Sequence, residues 1–148
     1  MITVEPIRDA KKIVAIKTIL KAGKYPRDYL LFTLGINLAL RISDLLALKV
    51  KDVLDRKGDI VESVHIRERK TGRERKIRLN RSAREALDFY FSKVGISNGE
   101  EFLFKSLRSQ GPLDRIRANT LINSWCREVG LQGKFGTHTL RKTWGYRA

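Results

Sequence analysis

The sequence predicts an α+β fold, mainly helical with one small antiparallel β-hairpin. Three features carry that expectation. Apolar residues recur at spacings of three and four in several separate stretches, the period changes to two over a single segment, residues 60–79, and glycine, proline or a capping residue punctuates the junctions. The 148 residues, 42% of them hydrophobic, suffice for one domain with an ordinary core. No internal repeat or low-complexity linker marks a second boundary, so residues 1–148 are expected to form a single unit.

Taken in order, Ile13, Ile16 and Leu20 lie at helical spacing among lysines between Asp9 and Ala22, and Gly23 is placed to end that helix. Pro26 suits the first turn of a second helix carrying Tyr29, Leu30, Leu31, Phe32, Leu34 and Ile36. It is apolar nearly all round and therefore central to the core. Residues 38–48 form an apolar stretch interrupted by Arg41, with Asp44 three positions on. Burying a guanidinium is costly unless it is paired, so two arrangements stand open: an Arg41–Asp44 ion pair, or an Arg41 held ready with its outer edge free for an anion.

Ile60, Val64 and Ile66, then Ile77 and Leu79, alternate with polar residues on either side of Glu68-Arg69-Lys70-Thr71-Gly72-Arg73. This reads as a hairpin turned at Gly72 with Lys70 at its tip. Ser82-Ala83-Arg84-Glu85 has the spacing of a capping box for a helix buried along Ala83, Leu87, Tyr90, Phe91 and Val94 and ending near Gly95. Phe102-Leu103-Phe104 is too short to assign, and Gln110-Gly111-Pro112 is turn chemistry. From about Asn119, Leu121, Ile122, Trp125 and Val129 predict a further helix stopped by Gly130. Thr137 is placed to cap a last helix. On it His138 and Arg141 share one face, while Leu140 and Trp144 form a separate apolar anchor.

Thirty-one basic against sixteen acidic residues give a formal charge of +15, which favours a polyanionic partner, nucleic acid first. Residues 67–84 hold nine of the basic side chains and two acidic ones. On an extended hairpin such a run suits phosphate contact at least as well as a solvated face. The longest apolar run, Tyr29 to Leu40, is broken by Thr33, Gly35 and Asn37 and is shorter than the roughly 20 residues a bilayer demands. The N-terminus carries no export signal, so a cytoplasmic protein without a membrane partner is expected. One cysteine, Cys126, allows no internal disulfide and is expected as a buried structural thiol. With two histidines it matches no zinc spacing, so no metal or other cofactor is expected.

Four side chains stand out: Arg41, Lys70, His138 and Arg141. Leu40-Arg41-Ile42-Ser43-Asp44-Leu45-Leu46-Ala47-Leu48, then Lys70-Thr71-Gly72 with its strand to Leu79, then His138-Thr139-Leu140-Arg141-Lys142-Thr143 together resemble the catalytic domain of tyrosine recombinases, the phage-integrase family. The resemblance runs from about Arg27 to the end. It implies an integrase-like fold and site-specific DNA strand exchange through a 3′-phosphotyrosine. Arg41 and Arg141 would clasp the scissile phosphate, Lys70 would protonate the leaving 5′-oxygen, His138 would help deprotonate the attacking tyrosine, and Asp44 would support the site. Arg69, Thr71, Arg73 and Arg75 on the hairpin, with Lys142 beside Arg141, are the expected DNA contacts.

The resemblance also places the nucleophilic tyrosine well downstream of the His-x-x-Arg phrase. Tyr146 lies only five residues after Arg141, a spacing that marks it as a packing or surface residue, and Trp144 does not match the second His/Trp of the pattern. The expectation is therefore a catalytic-type fragment lacking both the tyrosine segment and the N-terminal DNA-clamping domain. It would bind double-stranded DNA without cleaving it, as a monomer where the complete family protein forms DNA-bound tetramers. A non-catalytic DNA-binding module or regulator on the same fold is the alternative. A basic RNA-associated protein is a weaker third, since the aromatic residues are assigned to helix cores and not to a stacking surface.

Overall fold

A computed structural model describes residues 3–96, 98–109 and 111–147, with the side chain of Arg147 outside the description. Gln110, in the expected 110–112 turn, lies outside the described residues. The order is α1 (Ala10–Ala22), α2 (Pro26–Leu38), α3 (Ile42–Leu46), α4 (Val50–Val53), β1 (Ser63–Arg67), β2 (Glu74–Arg78), α5 (Arg81–Val94), α6 (Arg115–Glu128) and α7 (Thr137–Arg147). The only sheet among the described residues is the antiparallel β1–β2 hairpin, in which Val64 pairs with Ile77 and Ile66 with Arg75.

Helix α2 is the axis of the packing, as its all-round apolar sequence requires. Leu30, Leu31, Phe32 and Leu34 are completely buried, and α1, α5 and α7 all pack on it. Edge-to-face aromatic pairs extend the contact: Phe32 meets Trp125 of α6 at 6.2 Å, and Tyr29 meets Phe89 of α5 at 5.3 Å. Asp9 caps α1 by accepting from the Lys11 N–H, and Pro26 occupies the first turn of α2.

Several boundaries differ from those expected. Helix α5 starts at Arg81 and not after Ser82, because Asn80 accepts from the Ala83 N–H and takes the capping role. Along that helix Ala86 is buried in place of Val94, which is half exposed. Helix α6 begins four residues before Asn119, because Asp114 caps it by accepting from the Arg117 N–H. Phe102-Leu103-Phe104 runs beside the Leu48–Lys49 segment, with the Leu103 N–H donating to the Leu48 carbonyl, and so packs as extended chain. Gly72 and Gly95 take the left-handed backbone their turns demand, at φ +71° and +75°. Cys126 is fully buried, and that burial pushes its thiol up to about 12. No helix among the described residues is long and apolar enough to cross a membrane.

Candidate functional site

The first cation is delivered by a sharp turn of backbone. Helix α2 ends at Ala39, a non-glycine residue at φ 56°, and the chain then runs through Leu40 to Arg41, which sits extended at φ −62°, ψ 149° immediately before α3. That geometry turns Arg41 away from the core that Leu40 and Ile42 enter. Of the two arrangements left open by the sequence, the Arg41–Asp44 pair does not form. Arg41 Nη1 instead donates to Glu68 Oε2 at 3.2 Å, and its remaining N–H groups have no hydrogen-bond partner among the described residues. Asp44 is buried and accepts from the backbone N–H of Arg69 at 3.1 Å through Oδ1. Asp44 is thus drawn off by a backbone donor on the hairpin, which lies far from it in sequence.

Lys70 occupies the turn between β1 and β2. It is exposed and has no ion pair among the described residues. The turn is closed by Glu68, whose N–H donates to the Arg73 carbonyl and whose carbonyl accepts from the Gly72 N–H, both at 2.8 Å. Thr71 Oγ1 donates to Glu68 Oε1 at 2.8 Å and accepts from the Arg73 N–H. The Thr71 hydroxyl first, then the guanidinium groups of Arg41, Arg75 and Arg73, hold the Glu68 carboxyl below its ordinary range despite its burial. Arg69 and Arg73 are exposed. Arg75, on the hairpin face shared by Ile77, points inward and donates to the Ala39 carbonyl and to Glu68.

Helix α7 carries His138 and Arg141. Its first N–H groups are satisfied from outside the expected cap: Thr137 N–H donates to Asn119 Oδ1 on α6 at 3.0 Å, and Gly136 N–H donates to Thr139 Oγ1 at 2.9 Å. Thr137 is the first helical residue and is buried, so it does not stand outside the helix as a cap. The anchor is Leu140 with the buried Thr139 and Thr143, whereas Trp144 is 42% exposed. Thr143 Oγ1 accepts from the Ile7 N–H and donates to the Thr139 carbonyl, and Lys142 Nζ donates to the Val4 carbonyl. His138 and Arg141 have no side-chain hydrogen bond among the described residues. Desolvation of the ring, followed by the positive charges of Arg115, Lys142 and Arg141, keeps the His138 pKa below its ordinary value and the imidazole neutral.

The site therefore has two halves. Arg41 and Lys70 are joined through Glu68 and Asp44. His138 and Arg141 ride on α7, whose Leu140 lies against Gly35 in the last turn of α2, the helix that leads to Arg41. No hydrogen bond or ion pair links the halves among the described residues. Two contributors escape the sequence reading. Glu68 is marked there only as an acid inside a basic run. Arg115, one helical turn before Asn119, carries no local signal at all, because its proximity to His138 arises from the meeting of α6 and α7. No cluster of three or more metal-ligating side chains occurs among the described residues.

Residues 9–147 match the model of the Phage integrase family. The chain belongs to that family. The match begins at Asp9, earlier than the start near Arg27 expected from the sequence. A curated member, named Probable integrase/recombinase YoeC, of Bacillus subtilis (strain 168), is 41% identical over 143 residues, covering 97% of this chain and 74% of the relative. Among solved structures, XerA recombinase superposes with a TM-score of 0.73 at 20% identity, over 96% of this chain and 50% of that one. A DNA-bound lambda integrase gives 0.68 at 18% identity, over 96% and 50%. The Tn1549 transposon integrase, in complex with a circular intermediate DNA, gives 0.68 at 21%, over 97% and 52%. The phage-integrase chain thus has the α+β recombinase fold its sequence predicts, and it spans about half the length of these solved relatives.

Proposed function

We propose that this chain binds double-stranded DNA and that Arg41, Lys70, His138 and Arg141 surround one scissile phosphate. The observation that carries the reading is the double pin between the Arg41 region and the Lys70 turn, Arg41–Glu68 and Asp44–Arg69 N–H, which leaves the outer edge of Arg41 and all of Lys70 open. Phosphoryl transfer concentrates charge on the non-bridging oxygens, and fixed guanidinium donors at those oxygens lower the barrier. Arg41 and Arg141 supply them. Lys70 hands its proton to the leaving 5′-oxygen, and the neutral His138 accepts the proton of the incoming hydroxyl. Asp44 holds the Lys70 turn in place.

By itself the 148-residue chain engages the phosphate without breaking the strand. Tyr146 supports the absence of cleavage. It is 56% exposed at the end of α7, with the Arg8 guanidinium 6.0 Å from its ring, and stands too close in sequence to Arg141 to reach back over the same phosphate. A library of nicked suicide duplexes tests both the pocket and the absence of cleavage. The expected result is a reversible complex in which the Arg41, Lys70, His138 and Arg141 side-chain resonances move together. A covalent adduct through Tyr146 overturns the non-cleaving assignment, and a complex that leaves those four side chains unmoved overturns the pocket.

A further inference from the structure

Residues 67–84 contain two carboxylates in a run of cations, and they are used differently. Glu74 is exposed and pairs with Arg67, whereas the Glu68 side chain is only 6% exposed. A carboxylate that deep survives only with partners, and Glu68 has three: Thr71 Oγ1 at 2.8 Å on one oxygen, and Arg41 Nη1 at 3.2 Å and Arg75 Nη1 at 3.5 Å on the other. Its backbone meanwhile closes the turn that bears Lys70. Arg75 reaches further, to the carbonyl of Ala39, the left-handed residue that swings the chain out of α2 and towards Arg41. One buried acid therefore touches the side chain of the first arginine, the turn of the lysine, and the arginine that grips the backbone leading to the first.

We propose that Glu68 is a positioning residue of the phosphate pocket, holding Arg41 by one edge and the Lys70 turn through Thr71 so that both cations meet an anion in one fixed relation, with Arg75 serving this clamp instead of contacting DNA. The inference rests on the reading that Arg41 and Lys70 engage the same phosphate. It makes a counter-intuitive demand. An acid that merely sat near a polyanion site would repel the ligand, and neutralising it would tighten binding. A clamp works in the opposite sense, since releasing Arg41 costs the anion a pre-oriented two-pronged donor.

The experiment follows Arg41 Nε–H and Lys70 Nζ resonances while inorganic phosphate is titrated into the wild-type chain, Glu68→Gln, Arg75→Gln, Arg41→Gln and the Glu68→Gln/Arg41→Gln double variant. In the wild type both resonances shift with a common affinity. Glu68→Gln and Arg75→Gln each weaken phosphate binding about tenfold, and the Glu68→Gln effect is smaller once Arg41 is gone, the signature of action through that side chain and not through general stability. Unchanged or tighter phosphate binding by Glu68→Gln overturns the clamp while leaving the pocket standing, as does an equal loss in both Arg41 backgrounds. A wild-type chain whose two resonances ignore phosphate overturns the pocket and the clamp with it. Should Glu68→Gln fail to fold, Thr71→Val removes one arm of the clamp and keeps the ion pair: about threefold weaker binding with faster exchange of the Gly72 amide is expected, and unaltered affinity overturns the inference.

Discussion

The Leu140 side chain lies directly over Gly35, so that a Cβ built at position 35 would stand 3.0 Å from Leu140 Cβ and closer still to its Cδ1. This is where α7 meets α2, one residue from Arg141 and within the last turn of the helix that leads to Arg41. Gly35→Ala must push α7 outward or force Leu140 off its rotamer, at about 1–3 kcal/mol. Thermal unfolding is expected to register that loss, and DNA affinity to fall beyond what the stability change explains. Gly145→Ala on the same helix, with open space around it, is expected to do neither.

The Glu68 carboxyl should make part of the stability depend on acid. Its pKa in the folded chain lies below its ordinary 4.5, so its contribution is fully present above that value and is lost as pH falls through the folded-state value. Chemical denaturation at pH 7 and near pH 3 is expected to show Glu68→Gln less stable than wild type at the higher pH, with the gap narrowing at the lower. A constant gap would mean that the charge is not what Glu68 contributes.

His138 is expected to titrate below the ordinary histidine value of 6.5 and hence to be neutral at pH 7. Nuclear magnetic resonance of the imidazole measures this directly. Arg115→Gln, which removes one of the charges facing it from α6, should move the titration upward, and Lys142→Gln and Arg141→Gln should do the same from α7 itself. No movement in Arg115→Gln would separate α6 from the site.

DNA affinity should fall steeply with salt, because a chain of formal charge +15 gains affinity by releasing counterions from the phosphates it neutralises. Between 50 and 200 mM salt, six or more phosphate contacts correspond to roughly a thousandfold loss. Arg73→Gln, an exposed hairpin position, is expected to weaken binding evenly and reduce the salt slope by about one. Arg41→Gln and Arg141→Gln should instead abolish the phosphate-induced shifts at the pocket, because each removes a fixed guanidinium donor. Equal effects from all three positions would argue against a defined pocket.

The helices were legible wherever a local rule governed them. Asp9, Pro26, Gly23 and Gly95 act within a turn of where they stand, and the α2 sequence announces its burial because almost no face is polar. The hairpin was legible for the same reason, its alternation and Gly72 being local. Ser82 and Thr137 do not cap their helices, because the cap is settled there by neighbours from other helices. Asn80 is also held by Asn37 of α2, and the start of α7 is satisfied by Asn119 of α6. Trp144 follows the helical spacing of an anchor yet faces outward, because Thr139 and Thr143 fill the buried side through hydrogen bonds to the backbone and to Ile7.

The sequence by itself determined the class of fold, the order of the five longer helices around one hairpin, the family, and the four side chains of the candidate site, since each is written in spacing or in a short phrase. Tertiary structure decided the partners of those side chains. Arg41 is held by Glu68, 27 positions further along the chain, and not by Asp44 nearby, and Asp44 turns instead to the Arg69 backbone. A buried charge takes the donor or acceptor that packing brings within about 3 Å, and that distance is a property of the folded chain alone.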